Sequence, residues 1–171
     1  MASTTIDSQI FGVLFSTDKM REIFSDKNMV QKWLDTEAAL AKAQGELGII
    51  PKDKADEINA KANAELLNIP RIGESYKSSI TIVPLLREFE TVLANNAGEY
   101  VHWGATSQDI IDTGLVLQMK EAYANILEQM IACQKSTLKL VREHKDTIMC
   151  GRTHVIHALP ITLGYKVAVW A

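Results

Sequence analysis

Ser107-Gln108-Asp109-Ile110-Ile111-Asp112-Thr113-Gly114-Leu115-Val116 opens a stretch that runs to about Lys145 without a proline and, after Gly114, without a glycine. So long a run free of helix breakers predicts one long helix. Val116, Met119, Tyr123, Ile126, Met130, Cys133, Thr137, Leu140 and His144 step by three and four in a heptad seam. Leu127, Ile131, Leu138 and Val141 add a second stripe beside it. Two apolar stripes need partners on two sides, which predicts a bundle completed by further helices and by other subunits. The pattern alone also fits a coiled-coil hairpin.

At the N-terminal end of this helix, Thr106-Ser107-Gln108-Asp109 has a hydroxyl residue followed three positions later by an acid, the capping-box pattern, with Thr106 as N-cap. Free backbone N–H groups, the positive end of the helix dipole and the Thr106 and Ser107 hydroxyls would converge on one spot suited to a carboxylate. Taken alone, the same pattern also describes an ordinary structural cap. At the other end, Gly151 is expected to allow a tight turn and Pro160 to keep the residues before it out of a helix. The backbone from Asp146 to Pro160 is therefore expected to be extended or irregular, leaving Arg152, Thr153, His154 and His157 to face a cleft. Thr162 is placed to cap a closing helix containing Tyr165, Lys166, Val167 and Trp170. His144 is expected to sit favourably at the negative end of the long helix.

Toward the N-terminus the period stays helical, and no alternation is long enough to argue for a sheet, so the expected fold is all-α. A helix from about Asn28 to Leu47 fits Val30, Trp33, Leu34, Leu40, Ala41, Gln44 and Leu47, ended by Gly48, with Pro51 starting the next. Lys52 to Leu67 is read as a second, more polar helix, Asn68 to Ser79 as loop, and Thr81 to Asn96 as a helix closed by Asn95-Asn96-Ala97-Gly98. Hydrophobic residues make up 47%, enough for a core, and charged residues 23%. A net charge of −3 gives no electrostatic case for nucleic acid or an anionic membrane surface. No span or signal peptide is expected, and the cytoplasm is the expected compartment. Cys133 and Cys150 lack metal-ligand spacing and are read as reduced, packed thiols. No metal or cofactor is expected.

Gly104-Ala105-Thr106-Ser107-Gln108-Asp109, followed by Asp112-Thr113, resembles the first signature block of the fumarase/aspartase superfamily. The form is that of adenylosuccinate lyases and 3-carboxy-cis,cis-muconate cycloisomerases, and Gln108 after Thr-Ser looks more like the cycloisomerase branch. Gly151-Arg152-Thr153-His154 through Lys166 is similar to the second signature region. The resemblance runs from the Phe15-Ser16-Thr17 region through Trp170. It implies an N-terminal helical domain over residues 1–106 and, over 107–171, the start of a central helical bundle around which a homotetramer assembles. It also implies that the chain is an N-terminal fragment, with a third, Ser-rich mobile loop beyond Ala171.

The resemblance assigns roles. Histidine titrates near neutrality, and the histidine of a Gly-Arg-Thr-His motif is the proposed general acid in adenylosuccinate lyases, which makes His154 the catalytic residue expected here. Some muconate cycloisomerases carry a large apolar residue at that point. Thr106, Ser107, Gln108, Arg152 and Thr153 are expected to bind the substrate carboxylate, with His102, His157 and Asp109 in support. Lys77-Ser78-Ser79 is the nearest match to a basic-His-acid cluster of adenylosuccinate lyases, with serines where His and Asp would stand, and is a further candidate for carboxylate contact. The superfamily mechanism removes a C–H proton next to a carboxylate, using in many members a serine of the later loop, and the accumulating charge is held by preorganised donors. A helix rising roughly 1.5 Å per residue parts the two blocks by about 50 Å, so they are expected to meet only across a subunit boundary. Three functions follow: a cofactor-free muconate cycloisomerase-like enzyme, an adenylosuccinate-type lyase releasing fumarate, or a non-catalytic helical oligomerisation module.

Overall fold

The computed structural model describes residues 4–6 and 8–171. The opening residues 1–3 and Asp7 of the expected N-terminal domain lie outside that description. The chain divides into two compact units, one ending at Ala122 and the other running Tyr123–Ala171, and the long helix contributes to both.

The first unit is helical throughout. Short helices α1 (Gly12–Phe15) and α2 (Asp18–Ile23) precede α3 (Asp26–Glu46), α4 (Lys52–Lys61), α5 (Ile69–Ser75), α6 (Val83–Glu90) and the first part of α7 (Ser107–Glu143). Helix α3 is the organiser, because Val30, Trp33, Leu34, Glu37, Ala38 and Ala41 are all buried at spacings of three and one, a single stripe at the helical period. Leu34 meets Ile58 of α4, Leu85 and Phe89 of α6 and Ile110 of α7 in one core, each at most 1% exposed. Ser25 caps α3 by accepting the Asn28 N–H, two residues ahead of the expected start. A Schellman motif closes it, with the Ile49 N–H on the Gln44 carbonyl at 2.9 Å and the Gly48 N–H on that of Gly45 at 3.2 Å.

Two expected boundaries shift for identifiable reasons, and the helix expected over Thr81–Asn96 is shorter, α6 ending at Glu90. The helix expected to reach Leu67 stops at Lys61, because Gln31 of α3 takes the backbone on both sides of the break. Its amide donates to the Ala62 carbonyl at 3.0 Å and accepts the Ala64 N–H at 2.8 Å. Asn63 then caps a 3-10 turn over Ala64–Leu66. The segment expected as loop holds α5, where Asn68 accepts the Arg71 N–H at 3.0 Å and Pro70 sits in the first turn, the one place a helix accepts proline readily. Asn95 and Asn96, both left-handed, precede the 3-10 turn Ala97–Tyr100.

Helix α7 keeps the expected limits closely and docks on α3 through Gly114. A Cβ there would lie 2.5 Å from Trp33 Cδ1 and 3.0 Å from its Nε1, so the indole fills the space a side chain would need. Gln118, 4% exposed, donates to the Ile23 carbonyl at 2.8 Å. Glu121 accepts from Asn28 at 2.9 Å and pairs with Lys32 at 2.5 Å. The Lys32 hydrogen bond is the main cause holding the Glu121 carboxyl below its ordinary range, with Asn28 adding to it.

The second unit begins within α7, where Tyr123, Met130, Ile131 and Leu140 of the two stripes are exposed on this chain. An antiparallel hairpin follows, β1 (Ile148–Thr153) paired with β2 (Ile156–Thr162). It is a two-stranded ladder, with a register shift between Cys150 and Arg152, in the segment expected to be extended or irregular. Thr162 caps the closing helix α8 (Leu163–Ala168) by accepting the Tyr165 N–H at 3.1 Å, the role its position suggested. His144 at the end of α7 has Nδ1 3.2 Å from the Thr147 hydroxyl. Cys133 and Cys150 are free thiols and are exposed rather than packed, since one lies on the uncovered part of α7 and the other on a two-stranded ladder with no second layer. Among the described residues no helix is long and apolar enough to cross a membrane.

Replacing Gly114 by Ala should destabilise the fold by about 1–3 kcal/mol through overpacking against Trp33, even though alanine is the better helix former. Gly73→Ala, with nothing within 4 Å of the new methyl, should be neutral or mildly stabilising. Urea midpoints of the two variants decide this, and equal midpoints would refute the contact. A second expectation concerns Glu88, whose carboxylate takes Arg71 Nε at 2.5 Å, Arg71 Nη2 at 2.6 Å and the Asn68 N–H at 3.0 Å. Arg71 is the main cause holding the Glu88 carboxyl below its ordinary 4.5. Because the folded value is the lower one, this contribution is full above pH 4.5 and is lost as pH falls through the folded value. Glu88→Gln should therefore lower stability at pH 7, with the gap to wild type narrowing below about pH 4; a constant gap would refute the assignment.

Candidate functional site

The residues singled out in the sequence fall into two groups, one in each unit. The first lies at the entry to α7. His102-Trp103-Gly104-Ala105 forms a β-turn closed by the Ala105 N–H on the His102 carbonyl at 3.3 Å, with Gly104 at φ +72°. The chain then passes through Thr106 into the helix. The Thr106 N–H donates to Asp109 Oδ2 at 3.0 Å, and the Asp109 N–H donates to the Thr106 carbonyl at 3.1 Å. The acid at the third position thus reaches back to the cap residue, one half of a capping box, while the Asp109 N–H meets the Thr106 carbonyl rather than its hydroxyl. Gln108 is turned along the helix, its amide 2.5 Å from Asp112 Oδ1.

Ser107 reaches outside the helix. Its hydroxyl donates to Thr81 Oγ1 at 3.2 Å, and the Thr81 carbonyl accepts the Tyr76 hydroxyl at 2.6 Å. Thr81 has φ +54°, a costly conformation for a β-branched residue. These bonds tie the loop after α5 to the start of α7, and Lys77, Ser78 and Ser79 belong to that loop. Lys77 pairs with Glu74 and is exposed, the Ser78 N–H donates to the Ser75 carbonyl at 3.2 Å, and Ser79 is half-buried. Burial is the main cause raising the Tyr76 hydroxyl above its ordinary range.

The turn is held from below by a residue the sequence reading passed over. Glu37 of α3, with no exposed side-chain surface, accepts the His102 backbone N–H on Oε2 at 3.1 Å and faces His102 Nδ1 with Oε1 at 2.6 Å. Burial is the largest influence on Glu37 and pushes its carboxyl up, while the His102 bonds oppose it. Gln44, two turns further along α3, donates to the Trp103 carbonyl at 2.7 Å. A sequence signal for Glu37 does exist, since it is the one acid among Val30, Trp33, Leu34, Ala38 and Ala41 on the apolar stripe.

The second group lies on the hairpin. The tight turn expected at Gly151 is made instead by His154 and Val155, with φ +47° and +63°. Left-handed backbone at two successive residues is the geometry of a two-residue hairpin loop, usually filled by Asn-Gly. Gly151 serves a different need: a Cβ there would lie 2.6 Å from the Leu159 carbonyl oxygen, where the register shifts between Cys150 and Arg152. Arg152 stands opposite His157 in the ladder and Thr153 opposite Ile156, which puts Arg152 and His157 on one face. Arg152, Thr153, His154 and His157 are all exposed, and among the described residues their side chains have no hydrogen-bond or ionic partner. Among the described residues there is also no group of three or more His, Cys, Asp or Glu able to hold a metal ion.

The chemistry available is therefore an anion-suited helix start, braced by buried groups, and a histidine with an arginine on a strained turn. Known proteins are similar to this chain in sequence and in fold. A family model described as Lyase matches residues 14–171. The chain is 42% identical over 158 residues to the adenylosuccinate lyase of Methanocaldococcus jannaschii, covering 92% of this chain and 34% of that protein. It is 42% identical over 171 residues to the N-acetyl-S-(2-succino)cysteine lyase of Enterococcus italicus, covering 99% of this chain and 37% of that protein. The crystal structure of 3-carboxy-cis,cis-muconate lactonizing enzyme from Pseudomonas putida superposes with a TM-score of 0.88 at 37% identity, covering 95% of this chain and 38% of that one. The chain thus spans little more than a third of the length of these relatives. Agreement in sequence across nearly all of its residues, and in fold with a solved relative, makes the chain a member of the lyase family of the fumarase/aspartase superfamily.

Proposed function

We propose that this chain supplies the carboxylate-holding and proton-donating parts of a cofactor-free cytoplasmic enzyme that makes or breaks a C–O or C–N bond beside a carboxylate. The observation that carries the reading is the turn His154–Val155. Two non-glycine residues are held in left-handed backbone at an exposed tip, with no partner for the His154 side chain among the described residues. Strain of that kind persists where it serves a site. His154 protonates the leaving atom or delivers the proton in the addition direction, and Arg152 supplies a permanent charge with a planar fork for a carboxylate. Thr153, and the Thr106, Ser107 and Gln108 entry to α7, take the same or a second carboxylate, with Lys77, Ser78 and Ser79 at its margin. His102, His157 and Asp109 support these groups.

The favoured substrate is a tricarboxylate of the carboxymuconate type, closed to a lactone by addition of a carboxylate oxygen across a double bond. Gln108 and the structural match to the lactonizing enzyme support it. A second reading, elimination of fumarate from a succinyl-bearing compound, is favoured by His154 and by the 42% identity to two lyases whose names carry that group. The elimination needs a base for the C–H proton, which we assign to a segment other than these residues, whereas the closure needs only the proton delivered to carbon. The site is completed in a homo-oligomer, a tetramer in the intact protein. The exposed stripes of α7 support that assembly, because apolar surface of this extent is covered in a stable protein.

In the intact protein, His154→Gln should lower kcat by roughly 10²–10⁴-fold with little change in KM, and Arg152→Lys should act chiefly on KM. Absorbance assays with carboxymuconate, adenylosuccinate and fumarate measure both. Turnover unaffected by either change would remove the assignment, and no turnover of any of them would favour a purely structural helical module. Sedimentation should show self-association through α7 at micromolar concentration, weakened by charged substitutions at Met130 and Tyr123; a concentration-independent monomer would contradict it.

A further inference from the structure

We infer that Glu37 is a positioning residue for the α7 entry, fixing the His102 imidazole with its proton on Nδ1 and its Nε2 uncommitted. The inference rests on the functional reading above and extends it to a residue with no surface of its own. Three observations carry it. The Glu37 carboxylate has no exposed side-chain surface and spends both oxygens on one residue, the His102 backbone N–H at 3.1 Å and Nδ1 at 2.6 Å. The backbone N–H makes Oε2 an acceptor; Oε1 and Nδ1 share one proton at 2.6 Å, and imidazole is ordinarily the stronger base of the two groups, which favours an N–H donated to a carboxylate oxygen. That places the proton on Nδ1, and Nε2 has no partner among the described residues.

Second, His102 holds φ +62°, and the two bonds from Glu37 pin that residue at both backbone and ring. Gln44 grips the next carbonyl in the turn at 2.7 Å, so α3 fixes two consecutive residues of the turn that aims the start of α7. Third, the burial of an acid on an otherwise apolar stripe is costly, as the raised Glu37 carboxyl shows, and His102 is the one titratable group that offsets it. Packing alone would be better served by an apolar residue of similar volume. An acid whose bonds all go to one histidine of the turn is accounted for by what it does to that histidine.

The test follows imidazole 15N shifts of the intact protein labelled at histidine, with His102 assigned from a His102→Asn variant. Wild type should show His102 protonated on Nδ1 throughout pH 6–9, whereas Glu37→Gln should move it toward the Nε2–H form common in free histidine. In the same variant kcat should fall about tenfold to a hundredfold, as for lost orienting partners elsewhere, with KM within about threefold. Gly114→Ala, which loosens the α3–α7 contact without touching the turn, should leave both the His102 shifts and kcat unchanged. A wild-type His102 protonated on Nε2 alone overturns the inference, and does so even if Glu37→Gln fails to fold. Equal losses of kcat in Glu37→Gln and Gly114→Ala would overturn it as well. A wild type that shows the Nδ1–H form yet turns over none of the carboxylates overturns the functional reading while supporting the Glu37–His102 assignment.

Discussion

The helical unit depends on one face of α3. Trp33, Glu37, Ala41 and Gln44 recur at intervals of three and four, and each meets the core, α7 or its entry turn. Trp33 occupies the space left by the missing Gly114 side chain, Glu37 holds His102 and Gln44 holds Trp103. A rigid helix used in this way converts a flexible connection into a fixed one, because each bond is made from a scaffold already immobilised by Leu34 and its neighbours. The Thr106–Asp109 bond then starts α7 from a defined point.

Polar groups inside this unit are few, and each has a specific task. Glu88 collects Arg71 and the Asn68 N–H and so anchors the start of α5 to α6. Gln118 satisfies the Ile23 carbonyl, the last residue of α2. The two acids behave oppositely. Glu88 is stabilised as a carboxylate because a guanidinium fork meets it, whereas burial pushes the Glu37 carboxyl up and the His102 bonds offset that only in part. A protein selected for packing alone would need neither arrangement at Glu37, and the chemistry of the turn supplies the reason for keeping one.

Features encoded in neighbouring residues were legible in the sequence. The limits of α7, the all-helical class, the Asp109 half of the Thr106–Asp109 box and the Thr162 cap follow from breaker-free length and from short-range spacings that need no tertiary partner. Features set by distant residues were not. Helix α4 ends at Lys61 because Gln31, some thirty positions earlier, takes its backbone, and α5 forms in a segment whose proline, glycine and serines suggest a loop. The hairpin turn was misplaced for a related reason. His154-Val155 lacks the Asn-Gly signal, and Gly151, which does look like a turn residue, is needed for its closeness to the Leu159 carbonyl. Of the candidate site residues, those in the two signature blocks were readable as sequence. Glu37 was not, because its meaning lies in a contact 65 positions away.

The two groups of polar residues differ in how they are held, and the difference suits the roles proposed for them. An anion cradle works by preorganisation, so its donors must be fixed before the ligand arrives, and the entry to α7 is fixed by side-chain bonds from Glu37, Gln44, Asp109 and Thr81. A proton donor must instead keep its titrating nitrogens uncommitted. His154 is set on a two-residue turn between paired strands, where the backbone is defined by strand pairing from Thr153 and Ile156 while the ring bonds to nothing among the described residues. Bracing His154 as His102 is braced would spend a nitrogen on a structural bond. The left-handed strain at His154 and Val155 is the alternative, since it fixes where the histidine stands without tying up its ring.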